Sequence, residues 1–449
     1  MSSREPRLPL EPRARRALTA MFITLFLDLI GFSIIFPLFP SMLTYYLERE
    51  GETGLLGSLV SSLERFTAFA GGPGEYGTVV LFGGVLGSLY ALLQFVFAPV
   101  MGSLSDRYGR RPILIVSIAG VAVSYLLWIF ADAFALLVAS RLIGGIMSAN
   151  ISTATAVVAD VTEERDRPRG MAIIGIAFGV GFIIGPAVGG FSALIDLPSL
   201  VPSLVPYGLN PFSAPALIAL ILAAVNFAFV VLRFEETLAG DSRNRPRRTI
   251  NPVKLFRTSE YPGVAQTSFT NFVFITIFSG MEFSLTFMAM DRFGYGPREN
   301  AVMFLFVGFV LAMVQGGYVR RRGADVGPRR MALHGLLFVA PGLAAVGLAN
   351  NIYVLYFGLA LMAVGSAQVI PCLTSLASVY APASEQGRVL GVFRSLGSLA
   401  RGVGPLIACV LYWQLGSVAA YEIGAVAMVI PAGLAVALPP VPEPRVASV

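Results

Sequence analysis

The chain has 449 residues, of which 56% are hydrophobic and only 13% charged, and its mean hydropathy is +0.75. A soluble protein of this size cannot bury so much apolar surface, so the composition indicates an integral membrane protein. The formal net charge of +6 does not point to a nucleic-acid partner, because the basic residues lie in short segments between apolar runs. The lipid bilayer is the first predicted partner.

Twelve apolar runs follow a Pro/Arg-rich N-terminus, and each is close to the ~20 helical residues that cross a bilayer core. They are Leu18–Pro40, Val79–Met101, Ile113–Phe130, Phe134–Ala159, Met171–Leu194, Pro211–Leu232, Gly263–Met290, Ala301–Tyr318, Met331–Ala349, Ile352–Val379, Val389–Leu415 and Ser417–Leu438. The sequence therefore predicts an all-α membrane protein with twelve transmembrane helices.

Arg and Lys are distributed unevenly between the loops. When alternate loops are assigned to opposite sides, 25 basic residues fall on the side of the N-terminus and 4 on the other side. Basic loops are retained in the cytoplasm. The bias predicts a multi-pass protein of the inner or plasma membrane with both termini cytoplasmic.

The longest loop on the basic side, residues 233–262, divides the runs into two groups of six. A weak internal repeat supports this division, since Gly181–Pro186 in the fifth run is matched by Gly402–Pro405 in the eleventh. Two pseudo-symmetric six-helix bundles are typical of secondary transporters. The predicted organisation is a cytoplasmic tail (1–17), an N-terminal bundle (18–232), a cytoplasmic central loop (233–262), a C-terminal bundle (263–438) and a cytoplasmic tail (439–449).

A short charged loop, Gly102–Pro112, separates the second and third runs and reads GSLSDRYGRRP. Glycine allows the chain to turn there, and the proline suits the first turn of the next helix. The spacing G-x-L-x-D-R-x-G-R-R resembles the signature loop between helices 2 and 3 of the major facilitator superfamily. Residues 319–330, VRRRGADVGPRR, occupy the same place in the second half, but Arg321 falls where the aspartate is expected.

The resemblance implies a gate on the cytoplasmic side. In the superfamily the loop aspartate faces the start of helix 11, which corresponds here to Asp106 near Arg388. An arginine four residues later pairs with an acid at the end of helix 4, which corresponds to Arg110 and Asp160. A loop that only fixes the orientation of the chain is the simpler alternative. The predicted gate residues are Gly102, Asp106, Arg107, Gly109, Arg110 and Asp160.

The fifth run contains a rare glycine pattern, G-x(3)-G-P-x(2)-G-G. Glycines four apart line one helix face and allow a second helix to pack closely, and an internal proline favours a kink. The whole pattern resembles the motif of drug:proton antiporters in the superfamily, where it is thought to seal the pathway against leak. Ordinary helix packing is the alternative. The motif residues are Gly181, Gly185, Pro186, Gly189 and Gly190.

Five charged residues lie inside the apolar runs: Asp28, Arg141, Glu282, Arg394 and Arg401. Each costs ~2.5–3.5 kcal/mol near the middle of a membrane, so we expect these side chains to face an aqueous cavity or one another.

The surroundings of Asp28 and Arg141 resemble helices 1 and 4 of tetracycline and multidrug exporters, in the tetracycline transporter-like branch. Desolvation raises the pKa of a carboxylate and a neighbouring arginine lowers it, so engagement of Arg141 would set whether Asp28 holds a coupling proton. Glu282 is the second candidate for a proton site and is also a possible partner of Arg401. A static ion pair between Asp28 and Arg141 is the alternative, although buried pairs stabilise poorly.

Arg401, near the middle of the eleventh run, is the predicted site for the charge of a substrate. Asn150 and Gln368 are predicted to line the same cavity, with interhelical hydrogen bonding as the alternative for both.

Together these features predict a proton-coupled antiporter, acting as a monomer, that exports small amphipathic organic molecules such as drugs, tetracycline-like compounds or organic anions. Its partners would be that small-molecule substrate and protons. A metabolite symporter or facilitator, and a non-transporting receptor or scaffold, are the alternatives. The glycine motif disfavours the first, and the intramembrane charges disfavour the second. We expect neither an enzyme nor a cofactor, because no metal-ligand spacing and no nucleophile–base pair is present in the sequence.

Overall fold

The computed structural model describes residues 12–51, 54–69, 78–148, 150–162, 167–238, 261–382 and 386–440. In the first half the chain forms α1 (Pro12–Ser33), α2 (Phe39–Glu50), α3 (Gly54–Phe69), α4 (Thr78–Tyr108), α5 (Arg110–Ile129), α6 (Phe134–Met147), α7 (Ile151–Val161), α8 (Arg167–Ser192), α9 (Leu197–Leu200) and α10 (Ser213–Arg233). Short 3₁₀ turns occupy Phe36–Leu38 and Pro202–Tyr207.

In the second half the chain forms α11 (Pro262–Phe293), α12 (Pro297–Met313), α13 (Arg320–Val326), α14 (Pro328–Gly347), α15 (Ile352–Val379), α16 (Gln386–Ala427) and α17 (Val429–Val436). A π-helical turn, Val314–Val319, joins α12 to α13. Helices satisfy their own backbone hydrogen bonds, which is what a chain that crosses lipid requires.

Ten stretches of the described residues are long and apolar enough to cross a membrane. One of them, Val389–Val436, spans 48 residues and contains two crossings, because Gly416 leaves the helical conformation with φ 80° and ψ 167°. The chain reverses there: Ser417 bonds Arg292 at one end of the bundle, and the Val436 carbonyl bonds Arg329 at the other. Helix α8, with 26 residues, provides the twelfth crossing.

A turn at a glycine with positive φ occurs at the equivalent place in both halves of the molecule. Gly109 lies between α4 and α5 with φ 106°, and Gly327 lies between α13 and α14 with φ 81°. Positive φ is readily adopted only by glycine, so the glycine is required at both turns. We call the end of the molecule that carries the Gly109 turn the motif end and the opposite end, which carries Arg292, the distal end.

The halves meet along two pairs of helices. Helix α4 packs against α16, where Gly84 faces Cys409 and Gly402 faces Leu92. Helix α8 packs against α12, where Gly190 faces Ala301. Because glycine has no side chain at these contacts, the helices of the two halves approach closely near the middle and the distal end.

Some boundaries differ from the sequence prediction. Helix α1 begins at Pro12, six residues before the predicted run, and α2 and α3 occupy much of the segment between the first two runs. Helix α3 packs on α2, α4 and α6. Residues 239–260 of the central loop, and most of both tails, lie outside the described residues, so the domain boundaries stay predictions.

Candidate functional site

A cavity lies between the two halves, on the distal side of the middle of the molecule. From the N-terminal half, Phe32 and Phe36 of the first crossing line it. From the C-terminal half, Phe283 of α11 and Phe304 of α12 add two more aromatic rings. Such a surface suits the apolar part of an amphipathic molecule.

Two charged side chains line the same cavity: Glu282 on α11 and Arg401 on α16. Both are partly buried, and their opposite charges interact. Arg394 lies seven residues before Arg401, two turns along α16 on the same face, and its charge also interacts with that of Arg401. The structure therefore places one carboxylate and one guanidinium group, those of Glu282 and Arg401, beside the aromatic surface.

The helices that carry these two groups are held closely together. A Cβ atom at Gly280 of α11 would lie 2.5 Å from the Gly404 carbonyl oxygen of α16 and 2.8 Å from the Ala408 Cβ. Glu282 is two residues from Gly280, and Arg401 is three residues from Gly404. The glycine contact therefore fixes the positions of Glu282 and Arg401 relative to each other along the two helices.

Asp28 lies in the N-terminal half, partly buried on α1. The Asn150 side chain donates a hydrogen bond from Nδ2 to Asp28 Oδ2 at 2.5 Å. Tyr90 of α4 lies nearby, and its ring centroid is 4.5 Å from that of Phe32. Phe32 thus contacts both the cavity and the surroundings of Asp28.

Arg141 is buried, with 2% of its surface exposed, and does not pair with Asp28 among the residues that the structure describes. Its guanidinium lies 4.7 Å from the centroid of the Trp128 ring and donates to Ser140 Oγ at 3.1 and 3.2 Å. A cation over the face of an indole is stabilised by the ring quadrupole, so Trp128 takes the place of the expected carboxylate.

Asn150 and Gln368 do not line the cavity. Asn150 bonds Asp28, as above. Gln368 is buried, bonds the Val364 carbonyl of its own helix at 2.9 Å, and lies against Gly335 of α14. Asn150 thus makes the interhelical hydrogen bond given as its alternative, whereas the hydrogen bond of Gln368 stays within α15. A polar residue in an apolar run does not by itself show which partner it will have.

At the motif end, Arg110 joins three elements. Its Nε donates to Asp160 Oδ2 of α7 at 2.9 Å, and its Nη1 donates to Asp106 at 2.5 Å and to Ser105 at 2.7 Å. The Asp106 side chain is 62% exposed, whereas that of Arg110 is 6% exposed. Burial raises the pKa of Asp160, and its hydrogen bond with Arg110 opposes that rise. The side chain of Arg388, the expected neighbour of Asp106, lies outside the described residues.

Two other predicted gate residues, Gly102 and Arg107, each contact a neighbouring side chain. Gly102 lies against Ser152 of α7, with 3.5 Å between an added Cβ and the Ser152 side chain. Arg107 lies over the Tyr108 ring at 4.9 Å.

Glu236 is a residue that the sequence prediction missed. Its carboxylate accepts hydrogen bonds from the backbone N–H groups of Arg110 at 2.9 Å and Arg111 at 3.1 Å, so it caps the start of α5. It also occupies the space that a side chain at Gly109 would need. The available signal was an acidic pair, Glu235 and Glu236, directly after the sixth crossing.

The glycine motif of α8 packs on α1. An added Cβ at Gly181 would meet Leu29, one at Gly185 would meet Ser33, and one at Gly189 would overlap the Ile34 carbonyl. Gly190 points the other way, towards Pro297 and Ala301 of the second half. Pro186 lies inside α8. The motif therefore holds α8 between α1 and the other half of the molecule.

Twelve crossings in two halves around a charged cavity define a polytopic transporter fold. The sequence pattern of the Major Facilitator Superfamily matches residues 21–405 and, separately, residues 323–448. The chain therefore belongs to this superfamily, whose members are transporters of small molecules.

Two groups of relatives stand out. The chain is 36% identical to "Major facilitator superfamily domain-containing protein 10" of Bos taurus, over 93% of this chain and 91% of the relative. It is 27% identical to "Tetracycline resistance protein, class C" of Escherichia coli, over 89% of this chain and 90% of the relative. The crystal structure of the human organic anion transporter MFSD10 (TETRAN) superposes with a TM-score of 0.74 at 32% identity, covering 95% of this chain and all of that one.

Proposed function

We propose that this protein is a proton-coupled antiporter that exports small amphipathic organic molecules, with organic anions as the substrates that suit its cavity best. The observation that carries the proposal is Asp28, a partly buried carboxylate in the first crossing. Among the residues that the structure describes, its hydrogen-bond partner is the neutral Asn150 side chain and not a cation. A carboxylate without a fixed counter-ion can gain and lose a proton during a transport cycle.

In this mechanism the two halves rock about the central cavity and open it to one side at a time. The motif end is cytoplasmic, and the contacts of Arg110 with Asp106 and Asp160 form its gate. Arg401 attracts the anionic group of the substrate, and the aromatic rings bind the apolar part. Asp28 takes a proton while the cavity is open to the outside and releases it inside, so that the inward flow of protons drives export.

The relatives support the substrate class. One is described as an organic anion transporter, and others are tetracycline resistance proteins. The cavity joins an arginine to aromatic rings, which is what an organic anion with an apolar body requires.

Flux in proteoliposomes tests the proposal. The Asp28→Asn variant should lose transport driven by a pH gradient but keep exchange of labelled for unlabelled substrate, since exchange needs no net proton movement. The exposed Glu48 gives a matched control, and Glu48→Gln should behave as the wild type. Normal gradient-driven transport by Asp28→Asn would refute the coupling role, and a reversed dependence on the gradient would instead indicate a symporter.

A further inference from the structure

We propose that a group of exposed arginines at the end of the eighth crossing binds the headgroup of an anionic phospholipid, in the leaflet at the motif end. The group, which we call the arginine patch, consists of Arg320, Arg321, Arg322 and Arg330. It belongs to the second copy of the charged loop, which takes no part in the proposed gate. In the proposed orientation this leaflet is cytoplasmic, and anionic lipids are concentrated there.

The two copies of the charged loop differ in the exposure of their arginines. In the first copy Arg110 is buried, and Arg111 donates from Nη2 to the Val231 carbonyl at 2.7 Å. In the second copy Arg329, which like Arg111 lies two residues after the turn glycine, also donates to a carbonyl near a helix end, that of Val436. The patch arginines are instead exposed. The second copy therefore presents arginines to the surroundings of the protein that the first copy uses inside it.

The described residues offer the patch little acidic charge. Among them, the patch arginines other than Arg322 have no acidic partner within 4.0 Å, and Arg322 lies 4.0 Å from Asp325. An exposed ion pair of this kind contributes little. Residues 239–260 of the central loop, outside the described residues, contain six basic and two acidic side chains and so bring no net negative charge. The patch thus suits an anionic partner.

The eighth crossing presents an apolar ridge to the lipid. The stretch Pro297–Gly323 is the least buried of the ten described stretches that can cross a membrane, with 17% of its most apolar window buried. Leu305, Phe309 and Met313 are all exposed and follow one another at intervals of four residues. Residues four apart lie above one another on a helix. The ridge therefore provides a continuous apolar surface for an acyl chain.

The π-helical turn Val314–Val319 connects this ridge to the patch. Hydrogen bonds in a π-turn join residues five apart, so the residue one turn beyond Met313 is Tyr318. Tyr318 is exposed, and the exposed Arg322 follows four residues later. The ridge thus passes from apolar side chains through a tyrosine to an arginine. Acyl chain, interface and headgroup follow one another in the same order in a leaflet.

The length of the ridge also suits a lipid. From Phe309 to Tyr318 the helix advances nine residues, or ~13 Å at 1.5 Å per residue. Half of a bilayer core measures ~15 Å. An acyl chain can therefore lie along Phe309 and Met313 while the phosphate of the same molecule lies near Arg322. A soluble anion would contact the arginines alone, so the ridge favours a phospholipid as the partner.

Quenching by brominated lipids tests the proposal at the patch itself. Tyr318→Trp introduces a fluorescent reporter, and the native Trp128 and Trp413 are buried, so the protein without the reporter supplies the background. The reporter protein is placed in phosphatidylcholine vesicles that contain a minor fraction of brominated phosphatidylglycerol or the same fraction of brominated phosphatidylcholine. The binding constant of phosphatidylglycerol beside the reporter should exceed that of phosphatidylcholine by about fivefold or more.

Charge variants of the reporter protein distinguish the patch from the rest of the basic surface. The patch variant replaces three arginines by glutamine: Arg320→Gln, Arg321→Gln and Arg322→Gln. It should bind the two lipids equally. Lysine at the same three positions should retain most of the preference, because the charge remains, and this variant shows that the site tolerates substitution.

A matched control removes the same charge elsewhere at the motif end. It replaces three exposed arginines of α1 and α10: Arg15→Gln, Arg16→Gln and Arg233→Gln. These residues do not continue the ridge of the eighth crossing, so the control should keep the preference for phosphatidylglycerol at the reporter.

Equal quenching by the two lipids in the reporter protein overturns the proposal, and so does an undiminished preference in the patch variant. An equal loss in the matched control would also overturn it, because the whole basic end would then attract the lipid. Soluble glycerol 3-phosphate should not displace the brominated lipid; displacement would identify a site for free phosphate instead. No transport is measured, so these results are independent of the proposed antiport.

Discussion

The Phe283 ring of α11 occupies the space beside Gly87 of α4 that a side chain would fill. One turn further along, Phe287 occupies the corresponding space at Gly83. Two rings of the C-terminal half thus insert into glycine notches of the N-terminal half, and the Phe39 ring packs on Phe283 with 5.2 Å between centroids. The two halves therefore contact each other beside the cavity, which Gly87 and Phe283 both line.

We expect Gly87→Ala to hinder closure at the distal end, because its Cβ would overlap the Phe283 ring. Flux should fall several-fold. A cysteine introduced at the cavity-lining Thr286 should react faster with a membrane-impermeant maleimide added from the distal side. Gly433→Ala, at a glycine with nothing within 4 Å, is the control. Equal labelling of Gly87→Ala and Gly433→Ala would contradict this role of the glycine notch.

The α8 glycine face predicts a difference in stability. Gly189→Ala would drive a Cβ into the Ile34 carbonyl, which is backbone and cannot rotate away. We expect a loss of about 1–3 kcal/mol in the free energy of unfolding, typical of overpacking in a tight core. Thermal unfolding in detergent measures it. Gly391→Ala on α16, where nothing lies within 4 Å of the added Cβ, should leave the melting temperature close to that of the wild type.

Much of the fold could be predicted from the sequence because lipid imposes a strong constraint. A crossing needs a continuous apolar run, so the run lengths alone predicted twelve crossings, including the break at Gly416 between the eleventh and the twelfth. The helices α2 and α3 were harder to predict. Helix α2 continues the first apolar stretch beyond the predicted end at Pro40. Helix α3, with 16 residues, is shorter than the ~20 residues that cross a bilayer core.

The site was predicted less completely. A charged residue in an apolar run indicates that its side chain needs a polar partner, but the sequence does not show which residue that partner is. Arg141 was expected beside Asp28, but the ring of Trp128 meets its guanidinium instead. The sequence does not predict this contact, since a tryptophan that binds a guanidinium and a tryptophan that only packs in the core occur in the same kind of apolar run. Glu282 and Arg401 lie 119 positions apart, and only the packing of α11 on α16 places them in one cavity.

Glu236 provides the last prediction, at the motif end. Its carboxylate caps α5 through the N–H groups of Arg110 and Arg111, so Glu236→Ala leaves both donors without that partner. We expect a loss of about 0.5–2 kcal/mol, as for other helix caps, seen as a lower melting temperature in detergent. Since Arg110 also bonds Asp160, flux should fall as the start of α5 loosens. Glu235→Ala, which removes the exposed neighbouring carboxylate, should change neither quantity. If both alanine variants have the same melting temperature and flux, Glu236 does not stabilise this end of the molecule.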